Sequence, residues 1–286
     1  MIDGSNFYFK LKDLKLNKQL NFDFRAFGQF LAGSDKIVDA CYYVGRIKQD
    51  GTKRTEELFA SQQRLMALLK KSGFRYSLGY LMKNDGKYHE KGVDVQIATD
   101  LLVAAYENQC DKIILVSSDT DLAPAIKKAR QKGKQVEYIG FSHQPSVAMV
   151  SFCSTTRLLT EEDVRGLMLI TGIVLDESLK TVPVTIRVVK KEKWLVTNAT
   201  KSQSNQWTAL HFEGSEKKAK EIVESFSQSL KPGPWYTNFT TSTGLVFVIF
   251  ANKFFNYQKG DGKVRKTAAQ YGKSVGIPKD QLDWKE

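Results

Sequence analysis

The sequence predicts an α/β domain with a mostly parallel sheet covered by helices on both faces, followed by a smaller α+β domain. Three observations carry that expectation. Strand-like and helix-like patterns alternate through residues 1–174, as in chains whose strands are joined by crossover helices. One run, Ile113-Ile114-Leu115-Val116, is apolar at every position, which is how a parallel strand buried on both faces reads. The composition then changes. Residues 1–179 carry 25 basic and 22 acidic side chains and residues 180–286 carry 18 and 9, so +9 of the net +12 lies in the second part. All four tryptophans, Trp194, Trp207, Trp235 and Trp284, lie there too.

The elements follow in order. Ile2 leads into Asp3 as a very short first strand, and Gly4 permits a tight turn. Asn6 fits either a helix N-cap or a ligand-positioning role. Phe22, Phe24, Phe27, Phe30 and Leu31, closed by Gly33, make the apolar face of a helix, with the aromatics in the core. Residues 36–47 have the β-branched and aromatic content of a second strand. Residues 49–54 are a polar loop, Thr55 opens a helix to about Lys71 that Gly73 stops, and residues 74–82 are a third strand. Residues 83–92 read as a loop bearing Lys83, Lys87, His89, Glu90 and Lys91, with His89 an ordinary exposed residue. Residues 93–109 are a helix with Val93, Ile97, Leu101, Ala104 and Ala105 on its apolar face. It carries Asp94 in its first turn, where a carboxylate also complements the dipole, and Asp100 about 120° around the axis.

Ser117-Ser118-Asp119-Thr120-Asp121 ends the central strand and opens a helix over 122–131 that Gly133 stops. Two carboxylates therefore stand where a strand hands over to a helix, at the carboxyl edge where open α/β sheets bind ligands. Asp119 alone could be an N-cap. Its pairing with Asp121, and the Asp segments elsewhere, favour a metal or catalytic site. A strand over 136–139, a helix over 146–152, a strand over 157–159 and a helix over 161–169 complete the first domain, with the boundary placed between 174 and 180.

Several classes are excluded. No window reaches the ~18 apolar residues of a membrane span, and the start lacks a signal-peptide core because Asp3 and Asn6 stand there. Cys41, Cys110 and Cys153 are scattered and odd in number, which argues for reduced thiols, a cytoplasmic location, and neither a zinc site nor a disulfide frame.

Three segments now stand together: Ile2-Asp3-Gly4-Ser5-Asn6, Lys91-Gly92-Val93-Asp94-Val95 with Asp100, and Ser117-Ser118-Asp119-Thr120-Asp121-Leu122. Their order and spacing over residues 1–160 resemble the NYN domains, in particular the LabA-like (DUF88) branch of the PIN-like nuclease superfamily. The resemblance implies a Rossmann-like three-layer α/β/α fold over 1–174 and a metal-dependent ribonuclease. By that resemblance Asp3, Asp94, Asp119 and Asp121 hold Mg²⁺ or Mn²⁺, and Asn6 positions substrate or metal-bound water. The residue chemistry agrees. Carboxylates gathered on one edge repel and call for hard cations. Lys91 offers a phosphate contact, Ser117, Ser118 and Thr120 offer hydrogen bonds, and Asp100 suits an outer partner of the ligands.

The second domain, 180–286, reads as α+β with strands over 182–189, 194–198, 208–213, 235–241 and 245–250 and a helix over 215–230. Its charge and its basic–aromatic stretch (Lys253, Phe254, Phe255, Tyr257, Lys259) suit nucleic-acid capture, although Phe254 and Phe255 also suit a core. Lys263-Val264-Arg265-Lys266 opens a helix against its dipole, which a bound polyanion would explain. The expected function is a cytoplasmic endoribonuclease acting on RNA, with tRNA and mRNA as candidates, no membrane, and a homodimer compatible. The alternatives are an inactive NYN-like module that binds RNA or protein, and a phosphohydrolase of small nucleotides, against which the +9 domain speaks.

Overall fold

A computed structural model describes residues 1–16, 19–84, 87–195, 205–282 and 284. The chain forms two compact units, Met1–Val164 and Arg165–Glu286.

The first unit contains β1 (Ile2–Asp3), α1 (Gly4–Asp13), α2 (Phe24–Ala32), β2 (Cys41–Gly45), α3 (Lys53–Lys71), β3 (Arg75–Asn84), β4 (Lys87–Lys91), α4 (Val93–Tyr106), β5 (Lys112–Leu115), α5 (Ala123–Gln131), β6 (Gln135–Phe141), α6 (Val147–Phe152), β7 (Thr155–Leu159) and α7 (Glu161–Arg165). One group of strands runs β1-β2-β3-β4 and another β5-β6-β7, parallel except for β3 with β4. The two-residue β1 joins them. Ile2 and Asp3 pair with Tyr42 and Tyr43, and Ile2 bridges Val116 in parallel on the other side. Asp3 N donates to Val116 O at 3.0 Å and Val116 N to Met1 O at 2.9 Å. The strand order thus reverses between β1 and β5, which is the switch point where a doubly wound sheet opens a crevice.

Both faces are covered, as the apolar run of β5 requires. α4, α5 and α6 bury Ile97, Leu101, Ile126 and Met149 against Cys41, Tyr43, Leu115 and Tyr138. On the other face Phe7, Phe22, Phe24 and Phe27 form an aromatic cluster, with Phe7–Phe22 centroids 5.2 Å apart and Phe24 edge-on to Tyr42 at 5.6 Å. Phe30, expected in the core, is exposed and lies beside the Arg157 guanidinium.

Glu137 on β6 is buried between Arg157 (2.9 Å) and Lys112 (2.7 Å), and Arg157 also donates to Leu31 O at the end of α2. Glu137→Ala would leave two cations without their shared anion. Breaking a buried pair this way costs several kcal/mol. Because both cations are partly solvated, a loss of about 2–4 kcal/mol is expected, read as a lower denaturant midpoint.

Several boundaries differ from expectation. Ile37 and Val38 are exposed ahead of β2, so the second strand is only Cys41–Gly45. α3 starts at Lys53, capped by the Thr52 side chain. The expected loop over 83–92 contains β4, an antiparallel strand that includes His89. Residues 165–174, assigned above to the first domain, lie in the second unit and include most of its first strand.

That unit contains β8 (Leu169–Leu175), β9 (Arg187–Leu195), β10 (Gln206–Ser215), α8 (Ala219–Ser229), β11 (Thr237–Thr240), β12 (Leu245–Phe250), β13 (Lys253–Gln258) and α9 (Gly262–Ser274). Its strands form one antiparallel sheet in the order β13-β12-β11-β8-β10-β9. α8 covers one face through Ile222, Val223 and Phe226. On the other, Ala268 of α9, Ile277 and Trp284 cover Val246, Val248 and Phe250. The two strands expected around Lys190-Lys191-Glu192-Lys193 are one edge strand, β9; Asn198 lies outside the described residues. Lysines on an edge strand oppose pairing with a second sheet, so part of the basic charge has a structural reason.

The basic–aromatic stretch is β13. Tyr257 is buried and accepts a hydrogen bond from Trp284 Nε1 at 2.7 Å, Phe255 packs in the same core, and Phe254 is exposed. The cation-rich start of α9 needs no polyanion. The Asp261 carboxylate accepts from Lys263 N and Val264 N, and Arg265 turns to Trp284 O at 3.2 Å.

Candidate active site

Asp3 and Asp119 meet at the switch point. Asp3 ends β1 and caps α1, its Oδ1 accepting from Asn6 N at 3.0 Å. Asn6, half-buried in the first turn of α1, thus meets Asp3 through its backbone. Ser117, fully buried after β5, donates its hydroxyl to Asp3 Oδ2 at 2.8 Å and accepts from Asp119 N at 3.1 Å. One side chain therefore fixes both acidic segments. Asp119 caps the 3₁₀ turn Thr120–Leu122, its Oδ1 accepting from Asp121 N at 2.9 Å.

Asp3 is only 9% exposed. Burial pushes its carboxyl above the ordinary carboxylate range. Hydrogen bonds from Asn6 and Ser117 oppose that shift, and the Asp119 charge adds to it. Ser117 thus links the Asp3 carboxylate to the Asp119 backbone, and the charge of the Asp119 carboxylate lies close enough to act on the desolvated Asp3.

The other expected site residues are placed as follows. Asp94 is exposed in the first turn of α4, behind Gly92, which has φ +80° and supplies no side-chain cap. Asp121 and Thr120 are exposed in the turn after Asp119, and Lys91 is exposed at the end of β4. The Ser118 hydroxyl lies 3.1 Å from Tyr138 OH, which also accepts from Ser146 N at 3.0 Å. Asp100 accepts from Tyr43 OH (2.7 Å), Gln96 Nε2 (2.6 Å) and Arg75 (3.1 Å). Burial alone would raise its carboxyl, but these donors hold it below the usual range. Since Tyr43 is the strand partner of Asp3, Asp100 braces β2 beside the site.

Among the described residues, no group of three or more His, Cys, Asp or Glu side chains is disposed to hold a metal ion. Four ligands are therefore not gathered here, and what the geometry offers is the Asp3–Ser117–Asp119 pair. That pair suits Mg²⁺, which keeps several waters and takes one or two protein carboxylates together with substrate phosphates. Its donors are all hard oxygens, so Mn²⁺ is also compatible. Sequence reasoning missed Tyr138, Tyr43 and Arg75, whose partners lie on distant segments without a local signal.

The model of the NYN domain family matches residues 1–160. No curated protein gives a significant match. A solved structure, described as a protein of unknown function from Vibrio parahaemolyticus, is similar at 22% identity and a TM-score of 0.43, covering 55% of this chain and 89% of that one.

Proposed function

The chain belongs to the NYN domain family, and from that premise we propose that it is a metal-dependent endoribonuclease of the LabA-like (DUF88) branch. It hydrolyses RNA phosphodiester bonds at the edge where β1 and β5 diverge. The observation that carries this reading is the Asp3–Ser117–Asp119 link, which holds a desolvated carboxylate beside a second one. Asp3 and Asp119 would hold Mg²⁺ or Mn²⁺, with the exposed Asp94 and Asp121 available to substrate-bound ions or waters. The ion would lower the pKa of a bound water and neutralise charge on the scissile phosphate. The chain's own residues do the rest. Ser117 sets the orientation of Asp3, the 3₁₀ turn fixes Asp119, and Lys91 meets the RNA backbone. The second unit, basic in sequence, adds attraction for phosphate that does not depend on base sequence. No helix among the described residues is long and apolar enough to cross a membrane; a cytoplasmic place of action is part of the proposal.

The absence of a three-carboxylate group among the described residues favours one second reading, a module that binds RNA or protein without cutting it. Labelled total RNA incubated with the protein in Mg²⁺, Mn²⁺ or EDTA separates the two. Cutting that EDTA abolishes supports the nuclease. Salt-sensitive binding without cutting supports the module.

Metal binding also has a readout in stability. A ligand that binds only the folded state adds about 2.7 kcal/mol at roughly a hundred times its Kd. Mn²⁺ titration should raise the melting temperature of the wild type and leave an Asp3→Asn/Asp119→Asn double variant unchanged. Equal shifts in both would place the ion elsewhere.

A further inference from the structure

β2 ends at Gly45, whose partner on β3 is Gly79. Beyond Gly79, β3 pairs with β4 alone, from Tyr80↔Lys91 to Asn84↔Lys87. A two-stranded arm therefore overhangs the carboxyl edge by roughly 15 Å, at about 3.4 Å per residue. The edge is the one at which Asp3 stands, since its partner Tyr43 lies two residues before Gly45.

The base of the arm is built closely. A Cβ at Gly79 would lie 2.6 Å from Val93 Cγ2 and 2.9 Å from Lys91 O. Gly92, at φ +80°, turns the chain out of β4 into α4, so Lys91 is followed within three residues by Asp94. The Tyr80 ring lies over Gly92, 3.2 Å from where a Cβ would be, yet the residue is 59% exposed. Tyr80 and Lys91 are cross-strand partners, so they share one face of the ribbon, and both are open to solvent. An exposed aromatic ring beside a cation at the base of such an arm matches the chemistry of a single-stranded nucleic acid, whose bases stack and whose phosphates are anionic.

We propose that Tyr80 and Lys91 form a nucleotide subsite at the Asp94 end of α4, Tyr80 stacking on a base of single-stranded RNA and Lys91 holding the adjoining phosphate. The subsite rests on the endoribonuclease reading above. It makes Tyr80 a positioning residue that sets which phosphate reaches the carboxylates. Stacking of this kind does not depend on base identity, so the subsite confers a preference for unpaired RNA rather than for a sequence.

The test measures affinity for a short single-stranded oligoribonucleotide in EDTA with the Asp119→Asn protein, so that nothing is cut. Tyr80→Leu keeps apolar cover over Gly92 and removes the π face; Tyr80→Phe keeps both. Tyr80→Leu should weaken binding roughly 5- to 100-fold, and Tyr80→Phe should stay within about twofold. An oligomer with abasic sugars should bind the parent protein and its Tyr80→Leu variant equally. Equal affinity of Tyr80→Leu and its parent for the normal oligomer overturns the proposal, as does equal weakening by the leucine and phenylalanine substitutions. Wild-type cleavage of the same oligomer is scored separately. Cutting with no Tyr80 effect leaves the nuclease standing and removes the subsite. A Tyr80 effect without cutting keeps the subsite and removes the nuclease.

Discussion

Asp119→Asn is expected to lower RNA cleavage by about 10³-fold or more while the protein stays folded. The asparagine oxygen can still accept from Asp121 N, and the backbone N–H at position 119 keeps Ser117 as its acceptor, so the turn retains its shape. Only the charge is lost, and with it the carboxylate that stands beside Asp3. Metal assistance is worth several kcal/mol in such reactions, and about 4 kcal/mol corresponds to roughly 10³ in rate. The same change should raise the melting temperature in metal-free buffer, because it removes a like charge beside the buried Asp3. Asp3 has its pKa raised by burial above the ordinary 3.8, with the Asp119 charge adding to the shift. Its ionised form therefore costs stability at neutral pH, and that cost disappears as the pH falls through the raised value towards 3.8. The gain from Asp119→Asn should be present at neutral pH and shrink in acid. Single-turnover cleavage and melting curves in EDTA at two pH values measure both effects. Undiminished cutting by Asp119→Asn would remove the carboxylate pair from the reaction.

The site could be read from the sequence only in part. The segments holding Asp3 and Asp119 were legible because each couples a strand end to a helix start. The link between them was not, since Ser117 meets Asp3 across 114 positions in the chain. Asp100 showed only its place on the helix; its partners Tyr43 and Arg75 come from two other strands. β4 was missed because its charged residues resemble a loop, although the Asp85-Gly86 dipeptide between the strands is a hairpin signal. β9 was divided because four consecutive charged residues look like a turn, whereas an edge strand tolerates and uses them. In the second unit β8 lies between β11 and β10, an order that no local pattern encodes.

Gly4→Ala is expected to destabilise the first unit by about 3 kcal/mol, the upper end for overpacking, and to take cleavage with it. A glycine at the first position of a helix ordinarily gains from this change, because alanine is better by up to about 1 kcal/mol within helices. Here there is no room. A Cβ at Gly4 would lie 2.4 Å from Tyr42 Cε1 and 2.6 Å from Tyr43 O. Neither neighbour can give way cheaply. Tyr42 is buried against Phe24, with its hydroxyl donating to Gly4 O at 3.3 Å, and Tyr43 O belongs to the backbone of a central strand. α1 would have to lift from β2, and overpacking that shifts side chains and backbone costs about 1–3 kcal/mol. Because Asp3 caps α1, the same displacement would pull its carboxylate away from Ser117. Gly4 is thus required for close approach, where the sequence suggested a turn. Gly262→Ala, at the start of α9 with nothing within 4 Å of the added carbon, is the matched control and should leave stability unchanged or slightly higher. Chemical denaturation of both variants decides the point: if Gly4→Ala unfolds with the wild type, α1 sits less tightly on β2 than these distances require.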